Sequence, residues 1–200
     1  MVNSIFIQQG FHESQRYSAA KLYDAAFADK LGIALPNKTQ RLDILAQGFH
    51  PKFCWVAMQG DKMIGLAGYK NALGSLTAGI NWQLVKQHMG FWPAIRALAI
   101  LALLDREYSD GQLMLDGICV EANFGGQGVG TRLLQQLIQY ANKEGYHSVR
   151  LDVIDSNLNA KRLYERLGFS VLKTESMAYL RGILGFSAST TMSYSTHKSD

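Results

Sequence analysis

Apolar and polar positions change their period several times along this chain, and each change marks an element. Ser4 to Gln9 alternates, with Ile5 and Ile7 on one side, and predicts a first strand. From Ser14 the apolar spacing lengthens to three and four. Tyr17, Ala20, Leu22, Ala25, Ala26 and Phe27 then predict a helix with Ser14 as its N-cap. Gly32 and Pro36 are expected to end it, and a second helix is expected over Lys38 to Gln47. Cys54 to Gln59 and Lys62 to Lys70 read as two strands of a hairpin that turns at Gly60-Asp61. Residues 71 to 82 carry no clear period. Leu84 to His88 and Pro93 to Glu107 read as helical, with Gly90 interrupting and Pro93 restarting the helix. The pattern then runs strand (Gln112 to Glu121), helix (Thr131 to Lys143, ended by Gly145), strand (Ser148 to Ile154) and helix (Asn159 to Leu167, capped by Gly168). Two strands close the chain, Phe169 to Lys173 and Ala188 to Ser195, and Thr196 to Asp200 are expected to fray. This order predicts an α/β protein with a mixed sheet.

Composition narrows the class. Two hundred residues, 48% hydrophobic and 18% charged, fit one globular domain over residues 1 to 200, or a domain with an insertion. A net charge of +4 comes from scattered basic residues with no run of five, which suits an anionic cofactor and gives no support for nucleic-acid binding. Cys54 and Cys119 sit inside apolar runs and read as buried thiols, without disulfide or metal-ligand spacing. None of the five histidines falls in a motif. The first residues lack a signal-peptide pattern, so a cytoplasmic location is expected. Phe91 to Leu104 (FWPAIRALAILALL) is strongly apolar, but it contains Arg96 and falls short of the about 20 residues a spanning helix needs. A buried or half-exposed helix is expected and no membrane partner, with contact to a partner or a membrane surface as the alternative.

Candidate chemistry is densest in Val120 to Thr131. Glycines at 125, 126, 128 and 130 join the strand to the helix, leaving a turn with little side-chain bulk. Its N–H groups and the positive end of the helix can face phosphate oxygens, which predicts a pyrophosphate-bearing cofactor. A Walker loop would need lysine and then serine or threonine after Gly130, where Thr131 and Arg132 stand. A dinucleotide loop would need one more residue between Gly128 and the next glycine. What remains is G-x-G-x-G after a strand ending in valine.

Downstream, Leu151 to Phe169 reads LDVIDSNLNAKRLYERLGF. Together the two stretches resemble the GCN5-related N-acetyltransferase (GNAT) family. Val120 to Gly130 is similar to its V-x-P-x-x-[RQ]-G-x-G-x-[GA] motif. Asn157, Ala160, Tyr164, Gly168 and Phe169 fall in register with its second half. The matched region is about residues 113 to 172. Two departures stand out: Ala122 replaces the usual proline, and Gly125 replaces an arginine or glutamine that touches phosphate.

The resemblance implies a GNAT fold, with a mostly antiparallel central sheet flanked by helices. Residues of about 82 to 107 form a helical insertion before the fourth strand, able to border the acceptor cleft or make a dimer contact. It also implies acetyl-CoA as cofactor and a small-molecule or peptide amine as acceptor, and it allows a homodimer. Ile118, Cys119 and Val120 would offer backbone groups of a splayed strand to the cofactor arm. Gly125, Gly126, Gln127, Gly128, Val129, Gly130 and Thr131 would hold the pyrophosphate, and Asn157 would orient the arm. Tyr164 would donate a proton to the departing thiolate. Asp116 is the candidate base, placed by strand alternation on the same face as Val120; Glu121 or a water chain are the alternatives. Tyr17, Tyr23, Phe27, Trp82 and Trp92 could line an acceptor pocket. A binding module that keeps the cofactor loop but has lost turnover is the competing reading.

Overall fold

A computed structural model describes residues 4–105, 108–177 and 185–196. An eight-stranded sheet organises them. It consists of β1 (Ile5–Gln9), β2 (Cys54–Gln59), β3 (Lys62–Asn71), the short β4 (Gly74–Ser75), β5 (Gln112–Val120), β6 (Ser148–Ile154), β7 (Ser170–Ser176) and β8 (Ala188–Ser195). The order is β1-β2-β3-β5-β6-β8-β7, with β4 on β3, and every neighbouring pair is antiparallel except β5–β6. The expected mixed, mostly antiparallel sheet is therefore present.

Six helices flank it among the described residues: α1 (Arg16–Ala34), α2 (Lys38–Gly48), α3 (Trp82–Met89), α4 (Phe91–Leu104), α5 (Val129–Lys143) and α6 (Leu158–Arg166). In α5, Val129, Leu133, Leu134, Leu137 and Ala141 form one buried stripe at helical spacing. That stripe lies on β3 at Gly65, where an added Cβ would stand 3.0 Å from Leu133 and 3.1 Å from Val129. On the opposite face α1 packs through Ala19, Ala20 and Tyr23, and α2 through Leu42 and Leu45. A second cluster of Ala34, Leu35, Ile44, Val85, Ala94 and Ala97 holds α3 and α4 against the α1–α2 corner. That corner carries a buried ion pair, Arg41 to Asp24, and Arg41 also donates to the Leu35 carbonyl (2.6 Å).

Local chemistry moves several predicted boundaries. Ser14 is not the cap of α1. A 3-10 turn precedes the helix, capped by His12, whose ring accepts from the Ser14 N–H while the Gln15 side chain accepts from the His12 N–H. Gly32 does not end α1, since a glycine costs only about 1 kcal/mol inside a helix. Pro36 does, because the residue before a proline is pushed out of helical geometry, and Leu35 has φ −123°. Pro93 lies in the first turn of α4, where a missing N–H is harmless, and Gly90 at φ 82° starts the helix. Asn157 accepts from the Ala160 N–H and starts α6 one residue early. The predicted helix end at residues 106–107 and the chain beyond Thr196 lie outside the described residues.

Candidate functional site

Between Val120 and α5 the chain makes a short 3-10 turn (Ala122–Phe124) and then the glycine loop. Gly126 and Gly128 take φ 75° and 78°, and a Cβ added to either would meet nothing within 4 Å. The backbone conformation, not crowding, requires glycine there. Gly128 is the N-cap of α5 and has no side chain to offer the helix. The first-turn N–H groups of Val129, Gly130 and Thr131 therefore have no helical or capping partner and face outward at the positive end of the helix. The Gln127 side chain folds back onto the Asn123 carbonyl (2.9 Å). Gly125 has φ −59° and ψ 142°, open to any residue, and its added Cβ would touch only the Ala122 carbonyl at 3.1 Å.

The strand leading into this loop is open along one edge. β5 pairs with β6 only through Gln112, Leu113 and Met114, whereas its pairing with β3 continues to Val120. Beyond Met114 the two parallel strands part. The bond from the Glu121 N–H to the Ile64 carbonyl (2.8 Å) sets the alternation on the β3 side. By it, Gly117 and Cys119 direct their backbone groups to β3, and Ile118 and Val120 direct theirs into the gap. The Cys119 thiol donates to the Leu66 carbonyl (3.7 Å), and burial pushes its pKa up to about 12, so it stays protonated.

Asp116 sits at a bulge. Gly117 pairs with Gly68 and Leu115 with Tyr69, which leaves Asp116 as the extra residue. The expectation that simple alternation puts Asp116 and Val120 on one face is thereby overturned. A bulge re-aims the side chain it carries. Asp116 turns to the α1 face and accepts from the Thr77 hydroxyl (3.0 Å), while Val120 lies on the α5 face beside Gly130. Burial raises the Asp116 pKa above its ordinary value, partly offset by the Thr77 hydrogen bond. Glu121 is engaged by Lys62 at 2.7 Å.

Asp116 faces a cavity of about 720 Å³. Tyr23, Phe27 and Leu31 of α1 and Leu98 and Leu101 of α4 supply apolar wall; Tyr17, Trp82 and Trp92 are exposed and lie outside it. Gly117 lets α1 approach, since an added Cβ would be 3.1 Å from both the Tyr23 hydroxyl and the Phe27 ring. Burial and the nearby Asp116 hold the Tyr23 phenol well above its usual pKa. Asp152 of β6 also lines the cavity, a residue that sequence reasoning missed. Met114 pairs with Arg150, so Asp116 and Asp152 follow at equal distance along two diverging strands. Only that register, invisible locally, brings both to the same cavity.

Tyr164 stands on the other side of the sheet. Its neighbour Leu163 lies 3.6 Å from a Cβ built at Gly130, so α6 flanks the start of α5. Tyr164 is buried against Phe169 (ring centroids 5.9 Å apart), and burial pushes its phenol up to about 12. Tyr164 and the glycine loop thus lie on one face of the sheet, and Asp116 with its cavity on the other.

A model described as the acetyltransferase (GNAT) family matches residues 19–169. The chain belongs to this family. Solved GNAT-type folds cover nearly all of it: an N-acetyltransferase from Staphylococcus aureus Mu50 superposes with a TM-score of 0.67 over 94% of this chain and 100% of that one, at 18% identity. The structure of yncA from Salmonella typhimurium with its cofactor acetyl-CoA gives 0.60 over 98% and 96%, at 17% identity. In sequence, the spermine/spermidine N(1)-acetyltransferase of Bacillus subtilis strain 168 is 32% identical over 66 residues, 32% of this chain and 43% of that protein. Matches of this kind span less than half the length of the curated relatives. The residues present also fit the cofactor expected of a GNAT chain. A cradle of uncapped N–H groups, with glycine at 126, 128 and 130, adjoins an open strand edge of the right polarity for an amide-containing arm.

Proposed function

We propose that this protein is an acetyl-CoA-dependent N-acetyltransferase acting on the primary amine of a small molecule or peptide. The observation that carries the reading is the parting of β5 from β6 between the glycine loop and the Asp116 cavity. Bound acetyl-CoA supplies a thioester whose acyl carbon takes the amine and whose sulfur leaves with the electron pair. Gly126 and Gly128 to Thr131 hold phosphate oxygens through backbone N–H groups, with Gly125 and Gln127 completing the loop. Ile118 and Val120 offer backbone groups to the arm and the thioester oxygen. Asn157 uses its carbonyl oxygen to cap α6 and keeps its amide N–H groups for the arm. Asp116, raised in pKa, takes a proton from the incoming ammonium so that a neutral amine attacks. Tyr164 remains a phenol at neutral pH and gives its proton to the thiolate.

The lining also bounds the acceptor. Asp105, Asp116 and Asp152 outnumber Lys30 and Lys70 by one among the described lining residues; Lys70 pairs with Asp105 at 2.9 Å and Arg150 with Asp152 at 3.9 Å, which leaves Asp116 to meet an ammonium. That balance fits an acceptor with one ammonium and an apolar body on Phe27, Leu31, Leu98 and Leu101, rather than a polycation. Acetyl-CoA should raise the melting temperature and release free thiol with amines of this kind. Tyr164→Phe should keep the stabilisation and lose turnover. An absence of stabilisation even at high acetyl-CoA would remove the enzyme reading, and stabilisation without turnover on any amine would leave a binding module.

A further inference from the structure

Helix α4 is apolar apart from Arg96, yet among its described side chains only Ala94 and Ala97 are fully enclosed and Leu98, Ile100 and Leu101 half-buried, by the body of the protein. A helix of that composition is normally covered. Its outer stripe is Trp92, Ile95, Arg96, Ala99 and Leu103, at helical spacing. Trp92 is 77% exposed, Phe91 and Leu103 49%, and Ile95 43%. At the α3–α4 corner three rings stand edge to face: Trp82 on Phe91 (5.4 Å) and Phe91 on Trp92 (5.3 Å). The Lys86 ammonium lies 5.8 Å from the Trp82 ring centre and 5.9 Å from that of Phe91.

Charge selects the occupant. Helices α3 and α4 carry Lys86 and Arg96 and no carboxylate. The adjoining α2 adds Asp43 and Lys38, which cancel. Pairing two copies through this stripe would bring Arg96 toward its own mate with no acid between them. The face is an exposed corner of two short helices. We infer that the α3–α4 face docks on a lipid bilayer bearing anionic headgroups. Trp92, Phe91 and Ile95 enter the headgroup–acyl boundary, where indole rings are favoured, and Lys86 and Arg96 meet lipid phosphates. No described helix is long and apolar enough to span a membrane, so the association is peripheral and reversible.

The test is co-sedimentation of the full chain with vesicles of phosphatidylcholine alone or mixed with phosphatidylglycerol, with tryptophan emission read in parallel. The variant is Trp92→Glu with Ile95→Glu, two exposed positions, and its melting temperature is checked against wild type. Wild type should bind the anionic vesicles with a blue shift in emission, bind the neutral ones at least about tenfold less, and release in high salt. The variant should melt like wild type and lose at least about tenfold in partition. Three results would overturn the inference: no sedimentation with anionic vesicles, equal binding to both compositions, or equal binding by wild type and variant. A concentration-dependent dimer abolished by the variant, without vesicle binding, would assign the face to a second copy instead.

Discussion

Replacing Asp116 by Asn should make the protein more stable and far less active. The amide is nearly isosteric, and its oxygen can still accept from the Thr77 hydroxyl, which now lies 3.0 Å from the carboxylate. What changes is charge. Burial raises the carboxyl pKa in the folded protein above its value in the unfolded chain. As pH rises past the unfolded value, the unfolded chain releases this proton before the folded one does. Stability therefore falls with pH across that window, and the penalty is complete once pH passes the folded value. Each unit of upward shift corresponds to about 1.4 kcal/mol, and each kcal/mol to about 2–4 °C in a chain of this size. The Asn variant escapes the penalty and should melt higher than wild type at pH 7–8, with the difference vanishing in acid. Its turnover should drop about 100-fold or more, the usual contribution of a positioned general base. The rise of wild-type kcat/KM with pH, which marks deprotonation of Asp116, should flatten in the variant. Melting curves and pH–rate profiles read both effects. A variant that melts lower at neutral pH would refute the burial argument, and one that keeps its pH limb within about threefold of wild-type rate would refute the base.

Further expectations concern the loop and the scaffold. Gly125→Arg restores a side chain where the backbone conformation allows one and the Ala122 carbonyl need shift only a few tenths of an ångström; a single charge-assisted bond of about 1 kcal/mol should lower the acetyl-CoA Kd about fivefold by calorimetry, and an unchanged Kd would show that the position does not reach phosphate. Gly128→Ala forces a Cβ into φ 78° and should cost about 1–2 kcal/mol, a melting temperature lower by about 5 °C. Asn at the same position should recover part of that, because it tolerates this conformation, and a more severe loss than with Ala would count against the backbone explanation. Asp24→Ala strands the buried Arg41 and should cost about 3–5 kcal/mol, or about 10 °C, while the paired change Asp24→Leu with Arg41→Met should cost much less. Equal losses in the single and paired variants would mean that packing, not the orphaned charge, dominates.

What could be read from the chain was local. The spacing of Gly126, Gly128 and Gly130 between a strand and a helix depends on a few consecutive residues, and the positive φ angles of Gly126 and Gly128 follow from the turn they must make. The same short-range logic places Tyr164 on α6 and Asn157 and Gly168 at its two ends. The family, the sheet class and the strand–helix order come from patterns of that kind. The site's other half was not local. Whether Asp116 meets Val120 or Thr77 depends on a one-residue bulge against Gly68 and Tyr69, nearly fifty residues earlier in the chain. Whether Asp152 joins it depends on the register of Met114 with Arg150 and on where the two strands part. The walls of the cavity come from α1 and α4, held together by apolar contacts that no window of sequence contains. Backbone conformation is dictated by neighbours along the chain. The direction of a carboxylate across a sheet is decided by packing between distant segments, and only the tertiary structure carries it.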